Sequence, residues 1–179
     1  MIVKETTLNG VKIIEPKVYK DDRGFFLETY SKASFEKHRL YYDWIQDNHS
    51  FSKHKHTIRG LHFQRHPYFQ AKLIRVISGS ILDIVVDLRK NNFGSWESFK
   101  LHSDNFSTLL IPRGLAHGFC TLEDNTEVIY KVDNLYSKTH EEGIVWNDPQ
   151  LNIPWPTKNP HLSQKDKNLS RIEHTLPET

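Results

Sequence analysis

The chain has 179 residues, a formal net charge of +2 and a mean hydropathy of −0.62. This length suits one domain with a buried core, and the near-neutral charge excludes a basic surface for nucleic acid. A hydrophobic content of 37% excludes a disordered chain, and no apolar run approaches the roughly 20 residues of a membrane span.

The cysteine content and the N-terminus both indicate a cytoplasmic protein. Cys120 is the single cysteine, so no disulfide can form within the chain, which agrees with a reducing compartment. The first residues lack the charged-then-apolar pattern of a secretion signal. An anionic ligand would have to be held by a few placed cations, because the overall charge is too small to attract it.

Short segments rich in Val, Ile, Phe and Tyr, separated by turn residues, predict strands along most of the chain. About ten strands at this spacing indicate a sandwich or barrel. We expect one domain over residues 1–179, with a polar tail from about residue 157. The predicted strands are 11–17, 25–30, 42–50, 57–64, 70–78, 80–88, 96–103, 107–112, 116–122, 127–135 and 143–146.

Two short helices are predicted, over residues 32–40 and 165–171. Ser31 and Ser163 stand where a helix N-cap would accept a backbone N–H. Both helices are too short to form a layer of their own, so the predicted class is all-β.

Strand parity places two sets of side chains, because alternate residues share a face. Val128, Tyr130 and Val132 share an apolar face, which predicts that Tyr130 points into the barrel. In the predicted strand 80–88, Asp83 and Asp87 share one face, whereas the opposite face is wholly apolar. The two carboxylates therefore line either solvent or a polar lumen. From a lumen, Asp83 could orient His117 or Lys72.

Two segments indicate histidine chemistry inside a barrel. One predicted strand carries His62 and Gln64, and Lys72 opens the next strand. The turn from Pro112 to His117 reads Pro-x-Gly-x-x-His and resembles the second conserved segment of the cupin superfamily. Metal cupins usually carry His-x-His in the first segment, where this chain has glutamine second. Since divalent transition metals prefer imidazole and carboxylate to amide, the pattern favours a barrel without a metal.

The combination of His62, Lys72 and Tyr130 supplies groups for proton transfer beside a carbonyl. A histidine can act as a base near neutral pH. A lysine can stabilise an enolate oxygen, and a phenol on the opposite face can return the proton. Taken singly, a hydrogen-bonded core histidine or a packed tyrosine is the commoner reading. Their combination favours function.

An ordered series of motifs resembles the dTDP-4-dehydrorhamnose 3,5-epimerase family, in one register from residue 2 to about 168. The motifs are Asp22-Arg23-Gly24-Phe25-Phe26-x-Glu28, Gln46-Asp47-Asn48-His49-Ser50, Arg59-Gly60-Leu61-His62-Phe63-Gln64, Ala71-Lys72-Leu73, Asp83-x-x-x-Asp87-x-Arg89, Pro112-x-Gly114-x-Ala116-His117-Gly118-Phe119, Tyr130-Lys131, Tyr136, Glu142-Gly143-Ile144-x-Trp146-Asn147-Asp148-Pro149, Trp155-Pro156 and Leu162-Ser163-x-Lys165-Asp166.

This resemblance implies an all-β, cupin-type jelly-roll barrel with a few short helices. It implies a nucleotide-sugar epimerase that needs neither cofactor nor metal. Such an enzyme inverts C3 and C5 of dTDP-4-dehydro-6-deoxy-D-glucose, beside the C4 ketone, and gives dTDP-4-dehydro-L-rhamnose. The resemblance also implies a homodimer that exchanges N-terminal strands, so that both chains line each cleft.

The resemblance implies four catalytic residues. His62 would be the base, and Asp166 would pair with its ring and favour the imidazolium. Tyr130 would be the acid on the opposite face, and Lys72 would face the C4 oxygen. Without the resemblance, Asp166 would be an ordinary residue in the first turn of a helix.

The resemblance also implies a set of substrate-binding residues. Tyr136 has the strand parity of Tyr130, so both could face one cleft if the strand stays regular that far. The set comprises Arg23, Arg59 and Lys165 for the diphosphate and sugar, Glu28, Gln46, Asp47 and Asn48 for the nucleotide, His117 for the sugar, Tyr136 for stacking on thymine, and Glu141.

Two segments depart from the family pattern and bear on sugar specificity. The turn at 90–94 is shorter than usual, and the segment 65–70 carries aromatic residues where the loop is often small and polar. Three alternatives stay open: an epimerase acting at only C3 or C5 or on another nucleotide sugar, a metal-dependent cupin, and a non-catalytic sugar-nucleotide binder.

Overall fold

The computed structural model describes residues 1–177, and antiparallel strands are the main regular structure in this range. None of the helices in this range is long and apolar enough to cross a membrane. The strands are β1 (Ile2–Glu5), β2 (Lys12–Glu15), β3 (Val18–Asp21), β4 (Gly24–Leu27), β5 (Gln46–Ser52), β6 (Ile58–Gln64), β7 (Lys72–Ser78), β8 (Ser80–Asp87), β9 (Trp96–His102), β10 (Thr108–Ile111), β11 (Leu115–Thr121), β12 (Thr126–Val132) and β13 (Glu141–Gly143).

Helices are short and lie between or after the strands. The α-helices are α1 (Lys32–Lys37) and α2 (Gln164–Lys167), and single 3-10 turns cover Lys90–Asn92, Ser103–Asn105 and Ile172–His174.

Two sheets face each other across the main core. One has six strands in the order β1-β2-β10-β7-β12-β5, and the other has five in the order β13-β6-β11-β8-β9. Strands β3 and β4 form a separate hairpin. Fully buried side chains such as Ile74, Val85 and Leu109 fill the space between the sheets. The all-β expectation is confirmed, and the arrangement is that of a jelly-roll barrel.

Strand β8 is buried on both faces. Its residues Ile81 and Val85 pack between the sheets, whereas Ile84 and Val86 pack outside, against the C-terminal segment. Because that segment covers the apolar outer face, Asp83 must point into the barrel, where it is fully buried. Tertiary packing thus settles the choice between solvent and lumen that strand parity left open.

The polar tail is integrated into the barrel wall. His161 bridges to Thr57, and Ser170 bridges to Ile144. The buried carboxylate of Asp148 accepts a hydrogen bond from the Ile172 N–H at 2.8 Å. These contacts fix the segment that carries α2 against the five-stranded sheet.

Ten of the eleven predicted strands are present, with ends that differ by a few residues, and the predicted strand 143–146 overlaps β13 only at Gly143. Strands β1 and β3 were missed, because Ile-Val-Lys-Glu and Val-Tyr-Lys-Asp are short and half polar, and their pairing partners define them. Both predicted helix caps are confirmed: Ser31 accepts from the Ser34 N–H, and Ser163 accepts from the Asp166 N–H. The helices themselves are shorter than predicted.

We expect Leu109→Ala to lower the free energy of unfolding by about 2–5 kcal/mol, because Leu109 is fully buried in the main core. Urea denaturation monitored by tryptophan fluorescence would measure the change. Lys100→Ala, on the exposed side of β9, is the control and should stay within about 0.5 kcal/mol of the wild type. A loss in the Leu109 variant as small as that of the control would contradict this core assignment.

Candidate active site

Close backbone contact between β6 and β11 brings two histidines together. His62 on β6 is the direct register partner of His117 on β11. At Gly60, φ is +110°, and an added Cβ would lie 2.6 Å from the His117 carbonyl oxygen. At Gly118, an added Cβ would lie 2.7 Å from the Arg59 carbonyl oxygen. Both positions therefore require glycine, because only glycine lets the two strands approach closely enough beside the two histidines.

His62 is hydrogen-bonded to Asp166, with 2.6 Å between Nε2 and Oδ1. The N-cap of α2 aims the carboxylate, since the Asp166 N–H donates to Ser163 Oγ at 3.0 Å. Burial alone would raise the pKa of Asp166, but the hydrogen bonds from His62 and Ser163 outweigh it and hold the pKa below its usual value. With Nε2–H donated to the carboxylate, Nδ1 of His62 keeps the lone pair that can accept a proton.

Lys72 places a cation beside His62. Burial lowers the pKa of Lys72 to about 8, although the charges of Asp83 and Glu141 oppose this effect. An ammonium with so low a pKa is poorly solvated, so it interacts strongly with any negative charge that develops next to it.

A buried pair of His117 and Asp83 lies under the site. His117 Nε2 and Asp83 Oδ2 are 2.9 Å apart. Burial raises the pKa of Asp83 despite the nearby imidazole, and burial lowers the pKa of His117 despite the carboxylate. The second oxygen, Asp83 Oδ1, has no hydrogen-bond partner among residues 1–177. The sequence allowed either His117 or Lys72 as the partner of Asp83, and the structure shows the hydrogen bond to His117.

Two adjoining cavities share His62, Lys72 and Tyr130. One, of about 250 Å³, contains Asp166 and is called here the Asp166 cavity. The other, of about 180 Å³, contains Tyr136 and is called the Tyr136 cavity.

His62 and Tyr130 belong to opposite sheets, β6 and β12, so they stand on facing walls of the shared space. Tyr130 packs against the main core as its strand parity predicted, and burial raises the pKa of its phenol. The phenol therefore stays protonated at neutral pH.

The mouth of the Tyr136 cavity carries a hydrogen-bonded network centred on Glu141. Tyr136 Oη donates to Glu141 Oε2 at 2.6 Å, and Lys165 Nζ lies 2.5 Å from Glu141 Oε1. Burial alone would raise the pKa of Glu141, but its bonds with Lys165 and Tyr136 hold the pKa below its usual value. Tyr136 does not continue the parity of β12, since that strand ends at Val132, yet its loop brings it to the same cavity as Tyr130.

Most of the predicted site residues line these cavities, and three do not. Arg59, His117 and Lys165 line the Asp166 cavity, and Gln46 and Asn48 line the Tyr136 cavity.

Asp47, Arg23 and Glu28 lie elsewhere within one chain. Asp47 points to the opposite sheet face, where it pairs with Lys131 at 2.8 Å. Arg23 lies at the exposed tip of the β3–β4 hairpin, paired with Asp21, and Glu28 accepts a hydrogen bond from Ser34. Their substrate-binding roles stay predictions.

Several lining residues were not predicted as site residues. Gln64 and Gln70 line the Tyr136 cavity, while Ser50, Phe119 and Ser163 line the Asp166 cavity. Parity offered a signal for four of them. Gln64 shares the strand face of His62, and Ser50 shares that of Asn48. Gln70 likewise shares the face of Lys72 in its predicted strand, and Phe119 shares that of His117. Ser163 was predicted only as a helix N-cap.

No group of three His, Cys, Asp or Glu side chains suitable for holding a metal occurs within residues 1–177. The expectation of a metal-free site stays a prediction.

Comparison with known proteins identifies a family for the chain. A profile of the dTDP-4-dehydrorhamnose 3,5-epimerase family matches residues 5–174. The chain belongs to this family. A dTDP-4-dehydrorhamnose 3,5-epimerase of Shigella flexneri is 47% identical over 171 residues, covering 94% of each chain.

Two solved structures of family members superpose closely on the chain. The dTDP-4-dehydrorhamnose 3,5-epimerase of Bacillus anthracis, with TDP and PPi bound, has 48% identity and a TM-score of 0.93, covering 95% of this chain and 98% of that one. A dTDP-6-deoxy-D-glucose-3,5-epimerase of Legionella pneumophila, in complex with dTDP-4-keto-L-rhamnose, has 36% identity and a TM-score of 0.93, covering 99% and 98%. The expected cupin-type jelly roll is thereby confirmed.

We expect Lys72 to titrate near pH 8, far below the usual lysine value of 10.5. Below its pKa the amine is a cation, so the cavity loses this charge as pH rises through about 8. Reductive ¹³C-methylation followed by an NMR pH titration would measure it. Lys72→Arg identifies the signal by its loss, and a Lys72 signal that titrates with the exposed lysines would contradict the burial argument.

Proposed function

We propose that the chain is a dTDP-4-dehydrorhamnose 3,5-epimerase that uses no cofactor. It converts dTDP-4-dehydro-6-deoxy-D-glucose into dTDP-4-dehydro-L-rhamnose. The observation that carries this proposal is the placement of His62 and Tyr130 on facing walls of one cavity, with Lys72 beside them. Inversion at carbon requires a base on one face and an acid on the other, and this pair supplies both.

The proposed reaction is a proton exchange at each carbon next to the C4 ketone. Nδ1 of His62 takes the proton from C3, and the electron pair of that bond moves to the C4 oxygen as an enolate. Lys72 stabilises the enolate charge. Tyr130 then delivers a proton to the opposite face of C3, and solvent exchange restores both groups. Because C5 also adjoins C4, the same oxygen and the same cation serve the second inversion.

Asp166 supports the base through its charge. The imidazolium that forms when His62 takes a proton gains from the carboxylate 2.6 Å away. The positioning of this carboxylate by Ser163 keeps the imidazole in one tautomer and one orientation.

The nucleotide is proposed to lie across the mouth of the site. Arg59 and Lys165 offer cations to the diphosphate, and Gln46, Asn48 and Tyr136 offer amides and a ring to the nucleobase. The TDP in the related Bacillus anthracis structure supports a nucleoside diphosphate as the ligand class.

We also propose a homodimer, in which a partner subunit supplies Arg23 and Glu28 to the cleft. The β3–β4 hairpin exposes three large aromatic side chains, of which Phe26 is 69% exposed. On the outer face of the six-stranded sheet, a cavity of about 330 Å³ is lined in part by Arg75, whose buried Nε has no hydrogen-bond partner within residues 1–177. Exposed aromatics and an unsatisfied buried donor both favour an interface with a second copy.

We also propose that the chain forms one domain and acts in the cytoplasm. A single domain is supported by the integration of the tail, since Ile172 is fully buried against the five-stranded sheet. A cytoplasmic location is supported by the lone, buried Cys120.

Incubation with the dTDP 4-keto sugar in deuterated water should introduce deuterium at both C3 and C5, detected by NMR. His62→Asn should lower both rates by about 10²- to 10⁴-fold, because it removes the base. Tyr130→Phe should lower the formation of inverted sugar more than the loss of substrate protons, because His62 can still remove and return a proton on its own face.

Three results would count against the proposal. Deuterium at only one carbon would indicate a single-site epimerase, and unchanged turnover in His62→Asn would remove this site from the reaction. Activity that is lost on chelation and restored by one metal would indicate a metal-dependent cupin.

The dimer is tested by sedimentation velocity. The wild type should sediment at twice the subunit mass of 21.1 kDa, whereas Phe26→Glu should yield monomers, because it places a charge in the proposed apolar interface. Ser98→Glu, at an exposed position of β9 in the other sheet, makes the same charge change of −1 and should remain dimeric. A monomeric wild type, or a fully dimeric Phe26→Glu, would contradict the proposed hairpin interface.

A further inference from the structure

Gln64 occupies the position at which metal cupins carry the second histidine of His-x-His, and its amide is fully engaged. The side chain is 5% exposed. Nε2 donates to the Tyr68 carbonyl at 2.6 Å and to the Leu135 carbonyl at 3.1 Å. Oε1 accepts from the Ser137 N–H at 2.6 Å.

These partners determine which way the amide points. Two carbonyls require the NH₂ group, and one backbone N–H requires the oxygen, so the reversed amide would lose all three bonds. Each N–H is used, and the oxygen is used as well. Gln64 lines the Tyr136 cavity but has no N–H left to offer a ligand without breaking a bond to the protein.

The bonds from Gln64 bracket Tyr136. Leu135 and Ser137 are its two chain neighbours, in the loop that joins the end of β12 to the start of β13. The backbone of Gln64 also pairs with Glu141, the residue that accepts the hydrogen bond from Tyr136 Oη. The side chain of Gln64 therefore fixes the backbone on either side of Tyr136, and the backbone of Gln64 fixes Glu141, to which the Tyr136 hydroxyl is bonded.

Tyr136 depends on this support because its own side chain makes few contacts with the rest of the protein. The residue is 54% exposed, and its described hydrogen bond is the one to Glu141. A ring held only at its hydroxyl would sample many orientations, and ordering it on ligand binding would cost conformational entropy. Fixing the flanking backbone in advance removes most of that cost.

We propose that Gln64 is a positioning residue for nucleotide binding, which acts by holding the Tyr136 loop at the mouth of the cavity. This inference rests on the proposed function, in which Tyr136 meets the nucleobase. The position that ligates a metal in other cupins here anchors a loop, and the amide suits that task because it donates twice and accepts once. A histidine could not make all three bonds.

The test uses the full-length protein and dTDP as the probe. Gln64→Met keeps the shape and removes all three bonds, so the dissociation constant for dTDP, measured by calorimetry, should rise about tenfold. KM for the dTDP 4-keto sugar should rise by a similar factor, while kcat stays within about twofold, because His62, Lys72 and Tyr130 are untouched.

A second variant distinguishes positioning from general loss of stability. In a Tyr136→Ala background, Gln64→Met should cause no further loss of dTDP affinity, because the ring it positions is gone. Ile81→Val, buried in the main core away from both cavities, is the control for destabilisation and should bind dTDP as the wild type does.

Two outcomes would overturn the inference while leaving the proposed function intact. One is wild-type dTDP affinity in Gln64→Met, and the other is an undiminished effect of Gln64→Met in the Tyr136→Ala background. A wild type that neither binds dTDP nor exchanges protons of the 4-keto sugar would instead overturn the proposed function, and this inference with it. If Gln64→Met does not fold, hydrogen exchange of the wild-type Ser137 amide decides: slow exchange without nucleotide supports the anchor, and rapid exchange overturns it.

Discussion

The cost of burying charge inside an apolar barrel constrains the rest of this structure. Asp83 and Asp166 are both buried carboxylates, and each faces an imidazole at hydrogen-bond distance. An isolated carboxylate in such a place would cost several kcal/mol. The paired arrangement keeps the carboxylates in the barrel. The same burial lowers the pKa of Lys72 to about 8, although the nearby carboxylates oppose the shift. A site with these properties stabilises an anion that forms within it, because the cation has few other partners.

The second constraint is that no single element contains the site. His62 comes from the five-stranded sheet, Lys72 and Tyr130 come from the six-stranded sheet, and Asp166 comes from the C-terminal segment. The two-sheet architecture supplies facing walls for the proposed base and the proposed acid. The buried carboxylate of Asp148 helps to hold the C-terminal segment by accepting backbone N–H bonds, one of them from Ile172. Catalytic geometry therefore depends on residues that have no chemical part in the reaction.

The sequence predicted the interior of the fold better than its margins. Strands such as β8 and β11 are rich in apolar residues, and their pattern is sufficient because both faces are buried. β1 and β3 are short, half-polar segments that become strands only by pairing, so no local pattern reveals them. Tyr136 illustrates the same limit at the site. Parity suggested the right cavity, but the strand ends at Val132, and the loop that places the ring is held by hydrogen bonds to Gln64.

What the sequence determined by itself is the chemistry available: the glycines at 60 and 118, the histidines at 62 and 117, the lysine at 72, the tyrosine at 130 and the glutamine at 64. The order of its motifs also identified the family. Only the tertiary structure decided that Asp83 faces the lumen, that Asp166 meets His62, and that the Gln64 amide is bonded to two loops. The physical reason is separation along the chain, since His62 and Asp166 are 104 residues apart. A contact at that range depends on how the sheets pack and on where the C-terminal segment docks, and no local sequence pattern encodes either.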